Sequence, residues 1–113
     1  MEPRFEVFFL EDARTFLRGL SEKPRLKVLF NIRKSAMAND PKLFKKLTEL
    51  IWEFRTEYAG IQYRVLSFWD EARRTPNRVI ATHGFVKKGD KVPVKEIQKA
   101  VNIRVLYLKQ KRS

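Results

Sequence analysis

Arg55 and Arg64 each interrupt a segment that otherwise alternates apolar and aromatic residues, Leu50 to Glu57 and Ile61 to Trp69. A planar guanidinium on a strand offers two parallel donors to phosphate oxygens and stays charged at any physiological pH. Lys87 and Lys88 follow where a third strand-like segment, Arg78 to Val86, runs into a basic loop that also holds Lys91. Neighbouring strand residues point to opposite faces, so one of the two lysines joins the arginines' side whichever register holds. His83 is the one side chain whose unperturbed pKa lies near neutrality, which makes it a candidate acid or base. Each residue also has a plainer reading. The arginines could pair with Glu53 or Glu57, the lysines could form a solvated turn, and His83, beside Ala81 and Phe85, could be a hydrogen-bonded core residue.

The charge balance supports an anionic partner. The 113 residues carry 25 Lys and Arg against 13 Asp and Glu, a net charge of +12. Residues 78–113 hold 10 basic and 2 acidic side chains, so most of the excess lies in the last third. Such asymmetry points to nucleic acid or an acidic protein. Without cysteine there are no disulfides or thiolate nucleophiles, and a single histidine argues against a dedicated transition-metal site. No cofactor is expected; composition leaves a phosphate-bound Mg²⁺ open, though no cluster of acidic residues argues for one. No apolar run reaches the ~20 residues of a membrane span, and the N-terminus does not read as a signal peptide, so a cytoplasmic protein is expected.

The elements that must position these residues fit one domain over residues 1–113. Arg4 to Leu10 reads as a first strand. Glu11-Asp12 open a helix with Ala13, Phe16, Leu17 and Leu20 on one face. Ser21 caps a second helix with Pro24 in its first turn; Leu26, Leu29, Phe30, Ile32 and Ala36 form its buried side, and Asn39-Asp40-Pro41 stops it. The short connection predicts an antiparallel helical hairpin. Lys42 to Lys46 reads as a basic turn. Three antiparallel strands follow, with a turn at Gly60 and a charged loop over 70–77. Pro93 opens a last helix with Val94, Ile97, Val101, Val105 and Leu108 inward, and 109–113 forms a frayed basic tail. The expected class is α+β, a small antiparallel sheet with helices on one side and the other face open.

Three quoted stretches carry a family likeness. Ile51-Trp52-Glu53-Phe54-Arg55, Tyr63-Arg64-Val65-Leu66 and His83-Gly84-Phe85-Val86-Lys87-Lys88, followed by the helix from Pro93, resemble the phage-related HigB-like branch of the RelE/ParE toxin superfamily. The likeness spans roughly residues 5–108. It implies a RelE-like fold and a toxin that enters the ribosomal A site and cleaves mRNA there without a metal. Cleavage would run by attack of a ribose 2′-OH on the adjacent phosphate. It also implies a cognate antitoxin, often a helix-turn-helix protein.

That chemistry needs a base, a counter-charge for the phosphorane and an acid for the leaving 5′-oxygen. Arg55, Arg64 and Lys87 are the candidates for charge, and His83 for acid or base. Lys88, Lys91, Arg104 and Tyr107 are candidates for holding RNA, with Tyr107 able to stack on a base. Two other functions fit a similar surface: a gyrase-poisoning toxin of the ParE type, and a basic module that binds nucleic acid or the ribosome without cutting.

Overall fold

In the computed structural model, which describes residues 2–71 and 77–112, the chain runs β1 (Glu6–Phe9), α1 (Glu11–Gly19), α2 (Glu22–Met37), β2 (Phe44–Lys46), β3 (Trp52–Tyr58), β4 (Ile61–Trp69), β5 (Arg78–Lys87) and α3 (Val94–Arg112). Of the charged loop expected over 70–77, residues 72–76 lie outside the described residues, as does the last residue of the expected tail. The α+β class holds, with the three central antiparallel strands where alternation put them. The turn between β3 and β4 has Ala59 and Gly60 both at positive φ, 52° and 78°, with Tyr58 opposite Ile61. Two left-handed residues match the twist of the flanking strands in a tight hairpin.

The sheet differs from the expected one in two respects. Its order is β1-β5-β4-β3-β2, and β1 lies parallel to β5, so the sheet is mixed rather than antiparallel. The basic turn over Lys42–Lys46 contains a fifth strand, β2. Lys45 and Lys46 hide its signal, but Phe44 is buried opposite Phe54, with the rings stacked 4.5 Å apart. Burying that aromatic decides the local conformation over the basic character of its neighbours.

The helices also depart from expectation. α1 lies mainly on β5 and α2 mainly on β3, and the two helices, joined by Leu20 and Ser21, share one apolar cluster. The buried side of α2 is Pro24, Val28, Asn31, Ile32, Ser35 and Ala36, while Leu26 and Phe30 are more than half exposed. Ser21 precedes the helix but makes no side-chain cap bond. α3 packs on the opposite face through Ile97, Ala100, Val101 and Tyr107, with Val94 and Val105 exposed. It continues as a helix to Arg112, where a frayed tail was expected. The sheet is therefore flanked on both faces.

Alternation along each strand then builds two cores. One, under α1 and α2, gathers Phe5, Phe44, Phe54, Tyr63, Val65 and Val79, with Trp52 and Trp69 packed against them. The other, under α3, holds Ile51, Leu66, Phe68, Ile80 and Ala100. Gly84 has a packing reason: the Phe16 ring from α1 lies across its backbone, where any Cβ would overlap it.

Candidate functional site

The α3-side face of β3, β4 and β5 carries three cross-strand rows. Glu53, Leu66 and His83 are aligned, then Arg55, Arg64 and Phe85, then Glu57, Gln62 and Lys87. This follows from period-two alternation in three paired strands. α3 covers the first row, contacting β4 and β5, and its first turns stand over His83. The second and third rows lead to the end of the sheet where β5 leaves for the loop.

Arg64 is the pivot. It is 3% exposed, with Nε 3.0 Å from Glu53 Oε1, itself buried. Its Nη1 donates to Gln62 Oε1 at 3.2 Å and to the Tyr63 carbonyl at 3.1 Å. Burial lowers its pKa, Glu53 raises it and Arg55 lowers it, with a net downward shift. An arginine starts so high that it stays charged at neutral pH regardless. Gln62 Nε2 in turn donates to Glu57 Oε1 at 2.8 Å. The Glu53–Arg64–Gln62–Glu57 chain thus fixes side chains across two strands. Of the two ion-pair partners weighed from the sequence, Arg64 takes Glu53, and the pair is buried rather than superficial.

Arg55 is half-buried, and its Nε makes no hydrogen bond to the described residues. It borders a cavity of about 210 Å³ with Arg64, Glu57, Gln62 and Lys42. Lys87 donates from Nζ to the Gly89 carbonyl at 2.7 Å, which holds the ammonium over the loop. Lys88 and Lys91 are exposed on that loop. The structure therefore brings together Arg55, Arg64 and Lys87, with Lys88 and Lys91 nearby in the chain.

His83, Arg104 and Tyr107 do not join them. His83 is 2% exposed, with Nδ1 3.0 Å from Thr82 Oγ1 and Nε2 3.0 Å from Glu96 Oε1. Burial lowers its pKa more than Glu96 raises it, so the neutral ring is favoured at pH 7. It ties α3 to the sheet, and in this position it reaches no phosphate. Tyr107 donates to Asp70 at 2.8 Å, and burial together with Asp70 pushes its pKa up to about 12. Arg104 sits over the Phe68 ring. Both pack on Phe68, which pairs with Ile80, roughly 23 Å from Lys87 at ~3.3 Å per strand residue.

Three residues of the site carried little signal in the sequence. Glu57 was weighed only as an ion-pair partner, and Gln62 and Lys42 were not singled out. The same alternation that selected Arg55 and Arg64 places Glu57 and Gln62 on their face, two residues away. Lys42 comes in from the segment before β2, where no spacing rule reaches.

Among the described residues, no helix is long and apolar enough to cross a membrane. A comparison with curated proteins gives no match. The family model described as Phage derived protein Gp49-like (DUF891) matches residues 15–107, which takes in every strand from β2 onward and all three rows. The chain therefore belongs to the phage-derived Gp49-like family.

Proposed function

We propose that this chain is the toxin of a toxin–antitoxin pair and cleaves mRNA in the ribosomal A site. Membership of the Gp49-like family, which is related to RelE/HigB toxins, supports the toxin class. The observation that carries the cleavage reading is the convergence of Arg55, Arg64 and Lys87 from three adjacent strands onto one end of one sheet face. In this reading Arg55, which borders the small cavity, grips the scissile phosphate. Arg64 acts from below, holding Gln62 and adding positive potential rather than touching the RNA. Glu57 takes the proton of the 2′-OH as its oxygen attacks phosphorus. Lys87 supplies a proton to the departing 5′-oxygen, leaving a 2′,3′-cyclic phosphate. Pre-placed charge of this kind acts on the phosphorane without reorganising during reaction. The partner is a cognate antitoxin whose acidic segment covers the Lys87–Lys88 end, as the excess charge favours.

The test is expression of wild type and an Arg55→Ala, Lys87→Ala variant, with mRNA ends mapped in translating extracts. Wild type should arrest growth and give codon-phased cuts, and the variant should cut about a hundredfold more slowly. Equal cutting of naked RNA would remove the ribosome from the reading. Intact mRNA with stalled replication would replace it with gyrase poisoning.

A further inference from the structure

A cleft larger than the small cavity beside Arg55 shares its end of the sheet. It lies around the corner from it, on the α1/α2 side of the same sheet end, with a volume of about 630 Å³. Three chain segments close it: the α1–α2 junction, the β3–β4 turn and the end of β5. Leu20 and Pro24 form one apolar wall, and Ile61 and Val86 the other. Ile61 and Val86 are 42% and 40% exposed, and both line the cleft.

The rim of this cleft is shared with the candidate site. Val86 faces Tyr63 on the cleft side, while the next residue, Lys87, faces Gln62 on the side of the arginine row. Gln62, Lys87 and Lys88 all border the cleft, and Lys87 is pinned to Gly89 at its lip. Ser21, exposed and with a hydroxyl that caps no helix bond, adds a polar group to the border. An open cleft bordered by Leu20, Pro24, Ile61, Tyr63 and Val86, with an exposed hydroxyl and ammonium groups at one lip, suits a heteroaromatic group joined to a phosphate. It suits a phosphate alone poorly, because the walls would stay wet. An acidic side chain would likewise leave them unfilled.

We propose that this cleft binds an unstacked base of single-stranded RNA, with the neighbouring phosphate on Lys87 and Lys88. The proposal rests on the reading of the chain as an RNA-cleaving protein, and it names the base subsite next to that phosphate row. RNA bases free of a duplex present apolar faces to protein side chains and polar edges to hydrogen-bonding groups. Strand threading from the Arg55 cavity past Gln62 would then turn one base into the cleft.

Binding, rather than cleavage, tests this, so that the failure of one reading is separable from failure of the other. Wild-type protein is titrated with a single-stranded RNA tetranucleotide and, separately, with inorganic polyphosphate, while methyl resonances of Leu20, Ile61 and Val86 are followed by NMR. The RNA should shift all three, and polyphosphate should shift only the amides of the Lys87–Lys88 loop. An Ile61→Glu variant, altered at an exposed position and checked for unchanged melting, should bind the RNA about tenfold more weakly. Its affinity for polyphosphate should fall much less. Equal methyl shifts with both ligands, or RNA affinity unchanged in Ile61→Glu, would overturn the proposal. A wild type that cuts no mRNA yet shows the RNA-specific shifts would sink the cleavage reading and leave the cleft standing.

Discussion

The two faces of the central sheet are made from the same strands and have opposite characters. Under α1 and α2 the side chains are mainly aromatic: Phe44 stacks on Phe54 and Trp52, and Phe5 meets Trp69 edge-on at 5.2 Å. Under α3 and beyond its edge, apolar positions alternate with Glu53, Arg55, Arg64 and His83. The first face spends its area on packing. The second accepts buried charge, which burial makes costly unless each group is paired. One face is a scaffold, and its stability lets the other hold arginines in fixed places.

Substitutions on the two faces should separate along this line. Phe54→Ala, which empties the centre of the aromatic core, should lower stability by about 4 kcal/mol, measured by urea denaturation. A loss under 1 kcal/mol would mean that the aromatic face is not the scaffold. Next in size is Arg64→Ala on the charged face. It strands a buried Glu53 carboxylate and should cost about 3 kcal/mol. Arg55→Ala, one strand across, should cost little stability yet weaken RNA binding. If the two arginine variants melted alike, the division of labour between a structural and a phosphate-facing arginine would fail.

A third contrast concerns pH. His83 faces Glu96 and Thr82, with Lys99 and Asp12 also acting on it, and burial holds its pKa below the unfolded value. The unfolded chain then binds the proton first. Stability is complete above about pH 6.5, the unperturbed histidine value, and falls as pH drops toward the lower folded pKa. A His83→Gln variant should lack that component, seen as a shallower loss of melting temperature between pH 7 and 5. Equal slopes in variant and wild type would show that His83 is not what couples α3 to pH. The smallest effect is expected at the hairpin. Ala59→Gly relieves a left-handed alanine and should stabilise by about 0.5 kcal/mol, with no change at either face.

Much of the candidate site was legible because strand alternation is a local property. Arg55 and Arg64 come to one face because the tight turn sets the β3–β4 register, and Lys87 joins them through the β4–β5 pairing beyond the irregularity at Leu66–Ser67. The same rule put Tyr63, Trp52 and Phe54 on the other face. It could not assign His83, Arg104 and Tyr107, whose roles depend on where α3 lands. Nor could composition foresee that Leu26 and Phe30 stay outside while Asn31, bonded to Thr56 at 3.1 Å, goes in.

Backbone geometry and residue type, acting within about ten positions, determined the three-strand meander, its two-faced pattern, the helix starts and the basic sheet end. Tertiary structure alone decided the rest. It set β1 parallel beside β5, sent α3 to the face opposite α1 and α2, laid Phe16 over Gly84, and buried Arg64 against Glu53. Those outcomes depend on which distant surfaces exclude water together and which charge meets which partner, and no local pattern along the chain encodes either.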